Sequence, residues 1–180
     1  SLMLGAAFPV VPIVGSSGAP SGLWPNGYRY RLRRIIPAAV HQMPTGAAGW
    51  VEYRRTDNAL RSAANGGKVV NDADWPDLRF ETGAGGVIKW ERESWNDTTG
   101  AMVAWLRLTG FVSGVNYTVL LYYGKSGITA DEADPAGCWA GYVQSVNMAT
   151  GLDMSGNGRH FTLDGVSSST IFGAAAGDFV

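Results

Sequence analysis

The chain has 180 residues, of which 46% are apolar and only 16% are charged, and its formal net charge is −1. This length suffices to bury a core without staples, and the single cysteine, Cys138, excludes a disulfide framework within these residues. A near-neutral charge provides no long-range attraction for nucleic acid or an anionic membrane, so we expect neither as a partner.

The first 27 residues differ from the rest of the chain. Residues 1–26 carry no charged side chain and include four prolines. The prolines and the missing basic segment disfavour a secretory signal and a membrane-spanning helix. A free apolar arm would promote aggregation, so we expect residues 1–27 to be an extended arm that docks on another subunit; a disordered tail is the alternative. The predicted docking residues are Leu2, Leu4, Phe8, Val10, Val11, Ile13, Val14 and Trp24.

From Tyr28 onwards the pattern changes to short alternating strands separated by turn residues. In the first strand, aromatic and aliphatic residues alternate with arginines, which predicts an apolar face and a solvated face. The two faces hold Tyr28, Tyr30 and Leu32 on one side and Arg29, Arg31 and Arg33 on the other. A second strand is predicted at 49–55, followed by a loop at 60–74 with a turn at 65–67.

Four aromatic strands follow between Trp75 and Gly124. Alternation predicts that Leu78 and Phe80 face inward, with Asp77, Arg79 and Glu81 facing outward. It also predicts core positions for Trp90 and Trp105, and a weak helical pattern covers 129–134. Many short strands with frequent turns predict an all-β fold, an antiparallel β-sandwich of jelly-roll type, over residues 28–128.

The sequence contains no convincing catalytic constellation. His41 and His160 are isolated from acidic or cysteine partners, and there is no nucleophile elbow. Glu91 and Glu93 share a strand face, but a solvated face explains them more simply than a glycosidase pair. We therefore expect a non-enzymatic protein with no catalytic residues and no cofactor.

Two weaker binding predictions remain. Asp72, Asp74 and Asp77 lie in one loop that lacks the glycine and glutamate of a calcium-binding loop, so they are weak calcium candidates and no metal site is expected. Trp75 and Trp95 border loops, and exposed aromatic rings suit carbohydrate contact. These two tryptophans are the candidate carbohydrate contacts.

Six segments, in order, resemble a β-domain of unknown function found in bacterial surface proteins and in phage structural proteins. They are YRxR-I, LRSAANGGKV, D-L-R-F, W-E-x-E-x-W, W-L-R and YYG, at 30–36, 60–69, 77–80, 90–95, 105–107 and 122–124. That domain often precedes a concanavalin A-like, laminin-G-like lectin domain. Residues 151–165 resemble the opening of such a lectin domain, so 129–180 are interpreted as a linker and its opening hairpin, truncated at Val180.

The resemblance implies a structural or adhesion component of a phage virion, such as a tail fibre, spike or head-decoration protein. The arm would attach it to other virion proteins, and a homo-oligomer, with a trimer favoured, would be its assembly state. A downstream domain would bind a host surface glycan. The alternative is a carbohydrate-binding module of an extracellular protein on the bacterial cell surface.

Overall fold

The computed structural model describes residues 14–18, 22–70 and 77–140, together with the backbone of four short strands between 146 and 178. The chain divides into two compact units, Ser1–Ala133 and Asp134–Val180. The described residues are mostly strands, with few and short helices. The predicted all-β fold class is therefore confirmed.

The described part of the first unit contains two antiparallel sheets. Their strands are β1 (Val14–Gly18), β2 (Tyr30–Ile36), β3 (Ala48–Thr56), β4 (Arg79–Thr82), β5 (Lys89–Asn96), β6 (Ala101–Thr109) and β7 (Tyr117–Tyr123). The first sheet has the order β1-β2-β7-β4, and the second has the order β3-β6-β5. The chain changes sheet at every connection except β1 to β2 and β5 to β6. A four-residue helix, α1 (Ala38–His41), lies in the connection from β2 to β3.

One hydrophobic core contains side chains from both sheets. Phe80 on β4 makes edge contacts with Tyr53 on β3 and Trp90 on β5, at ring-centroid distances of 5.0 and 5.2 Å. Full burial of each such ring stabilises the fold by about 1.5–3 kcal/mol. The inward positions predicted for Leu78, Phe80 and Trp90 are confirmed, since all three are at most 1% exposed.

The outer face of the first sheet is not fully solvated. A second hydrophobic cluster lies there, formed by Tyr28, Leu120 and Tyr122 with Trp24 and Ile128 packed against it. Because this cluster lies on the outer face, β7 is buried on both faces. One prediction is therefore wrong: Glu81 points away from Phe80, as expected from alternation, but it is buried and not solvated.

The side chains of Asp77 and Trp105 also do not face the way that alternation predicted. Asp77 is fully buried. It precedes β4, so strand alternation does not apply to it, and its carboxylate accepts hydrogen bonds from two backbone amides. Trp105 is only half-buried on the face of β6 opposite the core, whose inward side chains are Met102, Ala104, Leu106 and Leu108. In a strand with apolar residues on both faces, alternation alone does not say which face is inside.

A bulge in β5 changes the facing of its second half. The register with β6 shifts between Arg92 and Ser94, so Trp90 lies opposite Leu106 and Trp95 lies opposite Met102. An extra residue in one strand reverses the alternation beyond it. Both tryptophans, five positions apart in the sequence, therefore pack against the core.

The described part of the second unit contains one short helix and four short strands. Helix α2 (Pro135–Cys138) begins after Asp134, whose carboxylate accepts a hydrogen bond from the Gly137 amide at 2.8 Å. The helical pattern predicted at 129–134 is therefore wrong by several residues. Strand β8 (Val146–Asn147) pairs with β9 (Leu152–Asp153), and β10 (Ser167–Ile171) pairs with β11 (Ala174–Asp178).

Of residues 151–165, which resemble the opening of a lectin domain, only Leu152–Asp153 are described. In the part of the chain that is described, no helix combines the length and the apolar content needed to cross a membrane.

Candidate functional site

A pocket of about 580 Å³ lies beside the point where β2 begins and β7 ends. Three separate segments form it, drawn from residues 23–30, 63–70 and 124–126. The LRSAANGGKV segment, the YYG segment and the start of the YRxR strand thus meet at one place. We call this cavity the Tyr30 pocket.

Three cationic side chains line the Tyr30 pocket: Arg29, Lys68 and Lys125. Arg29 and Lys68 are exposed, whereas Lys125 is half-buried. The Lys125 Nζ donates a hydrogen bond to the Asn26 carbonyl at 3.2 Å, and the Lys68 Nζ lies 5.8 Å from the centre of the Tyr30 ring. Among the described residues that line the pocket, the charged side chains are therefore all cationic, on a chain whose formal net charge is −1.

The Tyr30 ring is held in place by its neighbours. It stacks on the Tyr123 ring at 5.5 Å, with 25° between the ring planes. Gly124 has a φ of +82°, and a Cβ atom at this position would lie 2.6 Å from the Tyr30 Cδ2 atom. Only glycine fits this backbone conformation and this close approach without strain.

A buried carboxylate connects two of the segments that form the pocket. The Asp77 Oδ1 accepts a hydrogen bond from the Val70 amide at 2.7 Å, and its Oδ2 accepts one from the Lys125 amide at 2.6 Å. Hydrogen bonds to an ionised group are about twice as strong as neutral ones. Asp77 therefore fixes the positions of Val70 and Lys125, both of which line the pocket.

Asp77 was also the third weak calcium candidate, and its two predicted companions, Asp72 and Asp74, lie outside the described residues. Calcium binding by this loop stays a prediction. Among the described residues, no group of three or more histidine, cysteine, aspartate or glutamate side chains is arranged to hold a metal ion.

A hydrogen-bond network covers the outer face of the first sheet. The Tyr28 hydroxyl donates to Glu132 at 3.0 Å, and Arg79 bridges Glu132 at 2.9 Å and Glu81 at 2.7 Å. Asn26 donates to the same Glu81 oxygen at 3.1 Å. Burial, reinforced by the negative charge of Glu132, raises the pKa of Tyr28 well above its usual range. Tyr28 is therefore a neutral hydrogen-bond donor that attaches the segment before β2 to the sheet.

The predicted docking residues are only partly described. Leu2, Leu4, Phe8, Val10, Val11 and Ile13 lie outside the described residues. Val14 begins β1 and pairs with Arg33 of β2. Trp24 packs edge-on against Tyr122 at 6.2 Å, and the Arg31 guanidinium lies 3.7 Å above its ring. Docking of another subunit by these residues stays a prediction.

Only one of the two candidate carbohydrate contacts, Trp95, lies among the described residues. Trp75 lies outside the described residues. Trp95 is half-buried, and its indole Nε1 donates a hydrogen bond to the Leu60 carbonyl at 2.8 Å. Carbohydrate contact by this pair stays a prediction.

The isolated candidates for chemistry have structural partners. The His41 Nδ1 accepts a hydrogen bond from the Met43 amide at 3.0 Å, so its Nε2 carries the proton and donates to the Val115 carbonyl at 2.9 Å. The Glu93 carboxylate accepts a hydrogen bond from the Trp105 indole at 2.9 Å. Glu91 is buried, although it was expected on a solvated face.

Sequence reasoning missed the Tyr30 pocket because its cations are far apart in the chain. The available signal was the pair of glycines before Lys68, since consecutive glycines mark a turn that other segments can approach closely. No family model matches this chain, and comparison with curated proteins and with solved structures gives no match either. The resemblance described above therefore rests on its six sequence segments.

Proposed function

We propose that this chain is a non-enzymatic structural or adhesion component of a phage virion. In this proposal the two sheets form a jelly-roll-like β-sandwich that acts as the scaffold, and residues 1–27 attach it to the particle. Its partners are other virion proteins. The chain assembles as a homo-oligomer, with a trimer favoured, and a downstream domain binds the host surface glycan.

The observation that carries the proposal is the anchoring of the arm. Strand β1, inside the proposed arm, extends the first sheet by pairing with β2 from Val14 opposite Arg33 to Gly18 opposite Tyr30. Trp24 then packs on the outer face of the same sheet. Backbone pairing holds an added strand whatever its side chains are. In the proposal β1 ties the arm to the first sheet, and the docking residues predicted before Val14 contact a different subunit.

The partners of the reactive side chains also support a scaffold. His41, Asp77 and Glu93 each bond to backbone or indole groups that hold the fold together. Groups that perform acid–base chemistry instead have to reach a substrate proton.

The experiment compares the full chain with a variant that lacks residues 1–13 and keeps β1. We expect the full chain to be found in purified particles of a phage that encodes it, and to form oligomers in light scattering. The shortened chain should fold but be monomeric and absent from particles. The matched control carries serine in place of Val112 and Val115, which are 49% and 54% exposed. This control variant should be incorporated into particles normally.

Two results would contradict the proposal. One is the absence of the full chain from purified particles. The other is normal incorporation and oligomerisation of the shortened chain, because the predicted docking residues would then not be the attachment.

A further inference from the structure

We propose that the Tyr30 pocket is a binding site for a carboxylate-bearing saccharide. This inference goes beyond the scaffold function and does not depend on it, because it rests only on residues within the first unit. Trp95 does not line this pocket, and its indole bonds to Leu60.

The charge of the pocket selects an anion. Arg29, Lys68 and Lys125 come from three different segments and line one cavity. The guanidinium of Arg29 presents a planar set of donors that matches a carboxylate, while the lysines contribute compact positive charges. The nearby Asp77 carboxylate is fully buried, and its two oxygens already accept amide hydrogen bonds. It therefore holds the backbone of Lys125 in place and is turned towards these amides.

The size and lining of the pocket favour a saccharide over a small inorganic anion. Its volume of about 580 Å³ falls in the range of pockets that bind organic ligands. Beside the cations it presents the apolar side chains of Leu23 and Val70, which are 53% and 46% exposed, and the hydroxyl-bearing Ser126. An acidic sugar ring offers all three matching features: apolar C–H faces, hydroxyl groups and a carboxylate.

The position of Tyr30 disfavours single-stranded nucleic acid. Nucleic-acid grooves use free aromatic faces on which bases stack. One face of Tyr30 already stacks on Tyr123, and the Lys68 ammonium lies over the ring. The formal net charge of −1 also gives the chain no long-range attraction for a phosphate backbone.

The pocket is preorganised, which reduces the entropy lost on binding. Asp77 fixes Val70 and Lys125, and Gly124 permits the Tyr30 ring to lie against the backbone. The ligand therefore meets a backbone that is already held in place, and the ordering on binding falls on the exposed side chains of Arg29 and Lys68.

The experiment measures binding of the full chain to a galacturonate hexamer by calorimetry, beside the uncharged galactose hexamer, inorganic phosphate and an oligothymidine. We expect the acidic hexamer to bind more tightly than the other three, and to weaken as salt rises. Arg29→Gln and Lys68→Gln should each weaken its binding roughly two- to fivefold, and the double variant roughly tenfold.

Lys89→Gln is the matched control, because it removes one exposed positive charge from β5 in the other sheet. It should leave the affinity unchanged, and the urea midpoints of all variants should match the parent chain. Four results would overturn the proposal. They are no binding of the acidic hexamer, equal binding of phosphate or the neutral hexamer, tighter binding of oligothymidine, and affinity insensitive to Arg29→Gln and Lys68→Gln.

Discussion

Replacing Asp77 tests whether one buried carboxylate holds together the segments around the Tyr30 pocket. Asp77 is fully buried, and its two oxygens accept hydrogen bonds from the Val70 and Lys125 amides at 2.7 and 2.6 Å. Asp77→Asn keeps the size of the side chain but replaces one acceptor oxygen with a donor. Asp77→Ala removes both acceptors.

The expected loss follows from the two bonds. A hydrogen bond to a charged group contributes about 1.5–3 kcal/mol to stability, and a buried amide left without an acceptor costs about 1–3 kcal/mol. Asp77→Asn loses one bond and the charge on the other, so we expect the free energy of unfolding to fall by about 2–4 kcal/mol. Asp77→Ala loses both bonds, and we expect a fall of about 3–5 kcal/mol. Either loss is a large part of a typical domain's stability.

Urea unfolding followed by tryptophan fluorescence measures the global effect. Amide hydrogen exchange measures the local one, and protection should fall first at Val70 and Lys125. Glu52→Gln is the control: it removes a negative charge from a surface pair with Arg54 and should change stability by less than about 1 kcal/mol. The reasoning is refuted if Asp77→Asn unfolds like the parent chain and both amides keep their protection.

Three further predictions concern the core and the pocket. Phe80→Ala should lower the free energy of unfolding by about 3–5 kcal/mol, whereas Val87→Ala, at a position that is 52% exposed, should change it by less than about 0.5 kcal/mol in the same urea assay. Gly124→Ala should cost about 1–3 kcal/mol, because its φ of +82° and its contact with Tyr30 both become strained, and the near-ultraviolet dichroism of the tyrosines should change. Burial raises the pKa of Tyr53 to about 12, so its neutral form stabilises the fold below pH 10 and this contribution is lost as pH rises from about 10 to 12. Tyr53→Phe should therefore show a shallower loss of stability in that range, and an unchanged slope would contradict the assignment.

Much of the fold could be predicted because strand alternation is a local property. Leu78, Phe80 and Trp90 were correctly placed in the core from spacing alone, and the turn at 65–67 is present, with Gly66 in a left-handed conformation. Alternation failed where a distant segment covers the second face of a sheet. Glu81 is buried for that reason, by the segment that carries Asn26 and by Arg79.

The facing of Trp95 shows a second limit. The bulge between Arg92 and Ser94 reverses the alternation of β5, and no residue there marks the bulge in the sequence. Trp95 therefore packs against the core, although it was predicted to border a loop as an exposed ring. Bulges arise from the pairing with a neighbouring strand, which in this case is β6.

The sequence by itself determined the all-β class, the existence of the four strands between Trp75 and Gly124 and the apolar character of the first 26 residues, because each depends on neighbouring residues. Only the tertiary structure decided that Arg29, Lys68 and Lys125 line one pocket, and that Asp77 fixes two of its segments. These residues span almost a hundred positions of the chain, and no local pattern links them. Arg29 and Lys125 meet because β2 and β7 pair side by side, which places the start of one strand beside the end of the other.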